Sequence, residues 1–235
     1  MSVNNRPVIG LIPARGGSKG VRRKNMYLVN GVPLVDFTIH AALAAKSIDL
    51  TYLSSDDPEI LAYGEKRGVL RLARPEEFAS DTASATCVVS HLLESLPNNL
   101  ANQDPYIVYL QPTSPLRTGT HIDTAFMQMT AQDAHSVISV VEMTKSPFKC
   151  FSIDSNGKLR SLFEEKMSNM RRQDLPKAFI PNGAIYIFRA SEFVSRAGFP
   201  SNGSVAFAMT QLDSIDVDSE NDFRYLEYIM KDKNG

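Results

Sequence analysis

The sequence contains no tryptophan and only two cysteines, Cys87 and Cys150. Two thiols exclude a disulfide framework, and they form neither a CxxC redox pair nor a zinc spacing, so a reducing compartment, the cytoplasm, is expected. No apolar run approaches the roughly 20 residues of a membrane span. The start MSVNNRPVIGLIPAR lacks a long apolar h-region, so neither membrane residence nor secretion is expected. A formal net charge of -1 leaves no general basic surface for nucleic acid or lipid headgroups, and any anion site has to be local. His40, His91, His121 and His135 show no metal spacing. No Ser/His/Asp or Cys/His constellation supports covalent catalysis.

One absence is confined to a single region. The first 35 residues carry six Lys or Arg and no Asp or Glu, although the whole chain is charge-balanced. The cations concentrate in VIGLIPARGGSKGVRRKN, where an apolar run breaks into a glycine-rich turn. Gly16, Gly17 and Gly20 permit a tight bend and close approach of backbone amides to an anion. Arg15, Lys19 and Lys24 add charge-assisted donors, an arrangement suited to a polyphosphate. The segment matches neither GxxxxGK[ST] nor GxGxxG, which weakens kinase and dehydrogenase readings.

What is present along the chain is an alternation of short apolar runs and helix-like segments. PVIGLI (7–12), LTYLSS (50–55), VLRLA (69–73), YIVYL (106–110) and SVISVV (136–141) read as strands. Helices are expected over 33–47, entered through Pro33, and over DDPEILAYGEKRG, with an Asp cap, Pro58 in the first turn and Gly68 as a stop. Further helices are expected near 84–96 and 120–132, and at the end over SENDFRYLEYIMKDK. The pattern predicts an α/β fold with a mostly parallel sheet covered on both faces, and ligands at the carboxyl ends of its strands. The length, 235 residues, fits a single domain. Residues 143–178 break the rhythm and read as an insertion with its own hairpin at SNG and room for a short helix. AIYIF (184–188) and VAFAM (205–209) then resume the strands.

The acidic counterpart of the opening turn is DSIDVDSENDF, with five carboxylates in 213–222. Asp216 and Asp218 alternate with Val217; in a strand they would share a face about 7 Å apart, as a hard divalent metal bridging phosphates requires. Asp213, Glu220 and Asp222 read as turn and helix-start residues. Elsewhere, LQPTSPLR follows a strand and offers the Gln111 amide and the Thr113 and Ser114 hydroxyls on a proline-stiffened turn whose Arg117 either contributes or simply faces water. ASDTAS precedes a helix, where Asp81, Thr82 and Ser84 either cap amides or line a pocket.

IPARGGSKGVRRKN resembles the signature of the cytidylyltransferases that activate nonulosonic acids, above all the CMP-N-acetylneuraminic acid synthetases. RPEEFASDTAS, LQPTSPLRTGTHI and RQDLPKAFIPNGAIYI are similar to further blocks of that family, in the same order. The resemblance implies a Rossmann-like nucleotide-diphospho-sugar transferase fold whose insertion is a dimerisation subdomain completing the partner's acceptor site. It implies CTP as donor, an acidic nine-carbon sugar as acceptor, Mg²⁺ or another divalent cation such as Mn²⁺ as cofactor, and a homodimer. It further implies that Ala14, Arg15, Gly16, Gly17, Ser18, Lys19, Lys24 and Asn25 hold the triphosphate. Arg74 with Asp81, Thr82, Ala83 and Ser84 would contact the nucleotide, and Gln111, Lys149, Arg172 and Tyr186 the sugar. Asp216 and Asp218 would hold the metal, and Arg15 and Lys24 would join them in catalysis.

Two positions depart from the pattern: Ala85 stands where many relatives have a second serine, and Ile180 where many have arginine. Legionaminic acid, pseudaminic acid and the eight-carbon acid Kdo are alternative acceptors. A non-catalytic nucleotide-binding regulator is the reading from another class.

Overall fold

The computed structural model describes residues 6–17, 20–78 and 84–232. Its elements begin with β1 (Val8–Pro13), a small hairpin of β2 (Leu28–Val29) and β3 (Val32–Pro33), and α1 (Leu34–Ala44). Next come β4 (Leu50–Ser55), α2 (Pro58–Arg67), β5 (Leu70–Ala73), α3 (Ala85–Ser95), α4 (Asn98–Ala101) and β6 (Tyr106–Tyr109). The chain continues through α5 (Gly119–Ala131), β7 (Ser136–Glu142), β8 (Phe151–Ile153), β9 (Leu159–Ser161) and α6 (Glu165–Ser168). It closes with β10 (Phe179–Arg189), α7 (Ala190–Arg196), β11 (Val205–Met209) and α8 (Glu220–Asp232).

Seven strands form one sheet in the order β11-β7-β10-β6-β1-β4-β5. β1 pairs in parallel with both β4 and β6, β4 with β5, and β7 with β11. Only β10 is antiparallel, to β6 and to β7. The period-two alternation of β1 explains the two layers. Val8 and Ile12 point into a core shared with Val35, Ile39, Ile122 and Phe126 of α1 and α5, whereas Ile9 and Leu11 face Val88, Val89 and Leu92 of α3. A third cluster joins Val21, Leu34 and Val217 to Phe223 and Leu226 of α8. No helix among the described residues is long and apolar enough to cross a membrane.

The expected caps are present. The Asp57 side chain accepts from the Glu59 and Ile60 amides, Pro58 opens α2, and Gly68 ends it at φ 91°. The inserted segment forms the β8–β9 hairpin around Gly157 and the short α6. Three features differ from the sequence reading. AIYIF is only part of an 11-residue strand, because the sheet continues through Pro181 and Gly183 with a register irregularity that accommodates both. α7 and the β2–β3 hairpin are too short to leave a periodic signal. Residues 215–218 are not a strand at all.

Candidate active site

Four neighbouring parallel strands, β6, β1, β4 and β5, end along one edge of the sheet, and the loops leaving β6, β1 and β5 help wall a cavity of about 600 Å³. The ladder extends one step past the strands: Ala14 N donates to Ser54 O (2.9 Å) and Arg74 N to Ser55 O (2.8 Å). Those two bonds set where Arg15 and Arg74 enter the cavity. Arg74 is buried; its Nε donates to Ser54 Oγ (3.1 Å) and its terminal nitrogen to Ser54 O (2.9 Å). No described carboxylate forms an ion pair with it. Burial lowers its pKa, against the opposing influence of Tyr109 and Asp56 and with the help of the Arg15 charge. A desolvated cation held by neutral groups favours an incoming anion.

The glycine turn is pressed against the end of β4. Gly16 N donates to Asp56 Oδ1 (2.9 Å), and a Cβ on Gly16 would lie 2.8 Å from the Asp57 Cβ. Asn25 is buried and ties the turn shut by donating from Nδ2 to Arg15 O (2.8 Å). Ala14 is fully buried at the root of the turn, and Gly17 is exposed. Gly20 packs on the backbone carbonyl of Asp218, with no room for a Cβ between them. Ser18 and Lys19 lie outside the described residues.

Asp216 and Asp218 both line the cavity, beside Arg15 and Lys24. They share a side for a reason other than strand pairing. Val217 N donates to Thr113 O (2.8 Å) and its side chain is fully buried against α8, which leaves the flanking carboxylates facing outward into the cavity. Asp218 Oδ1 lies 2.7 Å from Lys24 Nζ. Asp222 accepts from the Asp218 and Ser219 amides (3.0 and 2.7 Å), so it serves the start of α8, as expected. Although Asp216 opens onto cavity solvent, the protein around it strips enough hydration to raise its pKa. The Asp218 charge adds to the rise, opposed by the Thr113 hydroxyl and Lys24.

Ser84 lines the same cavity and caps α3, its Oγ accepting from Cys87 N (3.4 Å), so the capping and pocket readings both hold for it. Asp81, Thr82 and Ala83 lie outside the described residues. Gln111 stands between this cavity and a second compartment of about 360 Å³, which Tyr186 also lines. Lys149 and Arg172 line neither space. Lys149 is exposed on the turn Pro147–Lys149, and Arg172 borders a separate depression with Glu142, Thr144 and Gln211. Arg117 does not face water. It is buried, donating to Gln111 O (3.1 Å), Ala184 O (2.9 Å) and Thr38 Oγ1 (2.5 Å).

The sequence reading missed Tyr109 and Phe78, which form walls of the larger cavity. Tyr109 closes a strand whose carboxyl end was already a candidate site, and that position was the available signal. Burial raises its hydroxyl pKa to about 12, despite the hydrogen bond with Gln111 and the Arg74 charge nearby.

Residues 9–230 match the family model described as cytidylyltransferase. The chain is 32% identical to the N-acylneuraminate cytidylyltransferase of Escherichia coli O18:K1:H7 (strain RS218 / NMEC) over 97% of its own length, but spans only 53% of that relative. It is 31% identical to the CMP-N,N'-diacetyllegionaminic acid synthase of Legionella pneumophila subsp. pneumophila (strain Philadelphia 1 / ATCC 33152 / DSM 7513), covering 95% of this chain and 96% of that one. Among solved structures, CMP:2-keto-3-deoxy-manno-octonic acid synthetase complexed with CTP superposes with a TM-score of 0.71 at 15% identity, over 97% and 99% of the two chains.

Proposed function

The chain belongs to the cytidylyltransferase family, and from that premise we propose that it transfers CMP from CTP to the anomeric hydroxyl of a nine-carbon α-keto acid sugar, releasing pyrophosphate. The observation that carries the reading is the meeting of two distant segments in one cavity, where Lys24 of the basic turn pairs with Asp218 of the acidic one. A nucleoside triphosphate needs both cations for its oxygens and carboxylates for its metal.

In the reaction the sugar hydroxyl oxygen attacks the α-phosphorus in line, the bond from that phosphorus to the bridging oxygen breaks so that pyrophosphate leaves, and the hydroxyl proton passes to water in the cavity. Arg15, Lys24 and Arg74 surround the charge that grows on the departing pyrophosphate. The 14–17 turn and Asn25 fix where those cations stand, and Ser84 and Phe78 flank the space left for the nucleoside. Asp216 and Asp218 fit Mg²⁺ or Mn²⁺, since both offer hard oxygen donors on one wall. No group of three metal-ligating side chains occurs among the described residues, so phosphate oxygens and water would complete the coordination. Such an ion would supply charge neutralisation on the phosphates and a lowered pKa for a bound hydroxyl.

The same reading assigns a homodimer, supported by exposed Ile153, Leu159, Leu162 and Phe163 on and beside the β8–β9 hairpin. Lys149 and Arg172 would then serve the partner's sugar carboxylate. The free thiols of Cys87 and Cys150 agree with a cytoplasmic location.

Pyrophosphate release from CTP and Mg²⁺ with a panel of nonulosonic acids is the test. Turnover with at least one acid is expected. CTP binding without turnover on any acid would replace the enzyme with a nucleotide-binding regulator.

A further inference from the structure

The smaller compartment has a chemically divided lining. At one end it meets the nucleotide cavity through Gln111 and Asp216, which border both spaces. Its apolar lining comes from Val141, Ile180 and Pro181. Ile180 and Val141 are direct antiparallel partners in the β10–β7 pairing, so their side chains sit next to each other on one face. Ile180 is 49% exposed, leaving apolar area for a ligand to cover.

The polar side chain that follows Pro181, Asn182, is already used. The Asn182 amide nitrogen donates to Ser214 Oγ (2.8 Å) and contacts Met209 Sδ (3.3 Å). Its oxygen accepts from Ser139 Oγ (2.6 Å) and from Ala184 N (3.2 Å). Both donors and both acceptor positions of that amide are therefore committed. Ser214 in turn spends its proton on Thr210 O (2.7 Å). A ligand hydroxyl pushed against Val141 and Ile180 loses water and gains little, whereas a methyl group gains contact area.

We propose that Val141 and Ile180 select the acceptor. They receive the exocyclic tail of the sugar, so the chain acts preferentially on nine-carbon acids whose tail carries a second acylamino group and a terminal methyl, over acids whose tail is trihydroxylated. The inference rests on the cytidylyl transfer proposed above and deepens it. Apolar contacts of this size discriminate by about 10-fold or more per group. Gln111, Tyr186 and Asp216 remain for the polar ring and the anomeric centre.

The test compares kcat/KM for N-acetylneuraminic acid and for N,N'-diacetyllegionaminic acid at saturating CTP and Mg²⁺. A ratio of about 10 or more in favour of the diacetylated acid is expected. That ratio should fall towards 1 in Ile180→Asn and in the near-isosteric Val141→Thr, while KM for CTP stays the same. Equal use of both acids, preference for N-acetylneuraminic acid, or an unchanged ratio in both variants overturns the inference and leaves cytidylyl transfer standing. An Ile180→Asn protein whose sedimentation changes but whose ratio does not would assign this wall to a subunit contact, which also overturns it. Absence of turnover with either acid, or with any other in the panel, sinks the transfer reading itself and this inference with it.

Discussion

Lys24 Nζ lies 2.7 Å from Asp218 Oδ1, although the two residues are separated by almost the whole chain. The contact is not an isolated surface pair, because Gly20 packs against the Asp218 carbonyl just beside it. The basic turn and the acidic segment are thus one wall of one cavity. The lysine neutralises a carboxylate here; under the proposed function the phosphate oxygens of CTP would compete for the same ammonium group.

That exchange gives the first prediction. The Asp218 side chain is 69% exposed, so the pair adds at most ~1 kcal/mol to stability. Lys24→Ala and Asp218→Ala should therefore unfold at nearly the parent temperature by calorimetry. In steady-state kinetics each should lose roughly 10²–10³ in kcat/KM for CTP. Because the pair serves one site, the double variant should lose far less than the product of the two. A fully active Asp218→Ala protein would refute the assigned role.

The reach of the sequence is clear from these same residues. Strong periodicity and turn chemistry located β1, β4, α2 and the edge of the sheet where the cavity lies, since Asp57, Pro58 and Gly68 each act locally. The sharing of a side by Asp216 and Asp218 was also legible, but for the wrong local reason. A strand was the natural expectation, and the alternation instead follows from Val217, which is anchored by Thr113 and packed into the α8 cluster. Tyr109 and Phe78 carried no motif, because a wall residue is defined by what lies across the cavity. The burial of Arg117 was equally invisible: its three acceptors come from three separate parts of the chain.

Arg117 yields a prediction about stability. It is 2% exposed, without an ion-pair partner among the described residues, and its guanidinium donates to two backbone carbonyls and a threonine hydroxyl. Burial without a carboxylate lowers its pKa. Arg117→Met removes the costly charge but leaves buried acceptors unpaired, at about 1–3 kcal/mol each. A net loss of about 2–4 kcal/mol in urea unfolding is expected, and an unchanged midpoint would show that water replaces the guanidinium. Because one acceptor is the Gln111 carbonyl, KM for the acceptor should also rise.

Asp154 supplies a pH dependence. Its carboxylate accepts from the amides of Lys158 and Asn156, both at 2.9 Å, across the β8–β9 turn. The Lys158 amide is the main cause of its lowered pKa, burial works against it, and Asn156 and Arg160 add to it. For an acid with a depressed folded value, the stabilisation is present above the unfolded pKa and is lost as pH falls through the folded one. The Lys158 amide proton should therefore shift in NMR with a midpoint below that of a free aspartate, as the hairpin loosens. In Asp154→Ser that titration should vanish; its persistence would assign it to another group.

Gly183 gives the sharpest test of how the two compartments are joined. Its φ is 76°, and a Cβ built on it would come 2.5 Å from Gln111 Oε1. The missing side chain is what lets the Gln111 amide lie across the boundary between the two compartments. Alanine would confound strain with steric displacement, whereas asparagine tolerates the left-handed region and still carries a Cβ. Gly183→Asn should keep the parent unfolding temperature to within a few degrees and bind CTP as before, since the displaced group is the end of a flexible side chain. KM for the acceptor should rise by up to about 10-fold, an amount typical of losing a hydrogen bond to a substrate hydroxyl. If Gly183 acts through Gln111, the variant should add nothing further in a Gln111→Ala background. Additive losses would show instead that the bulge contacts the sugar directly.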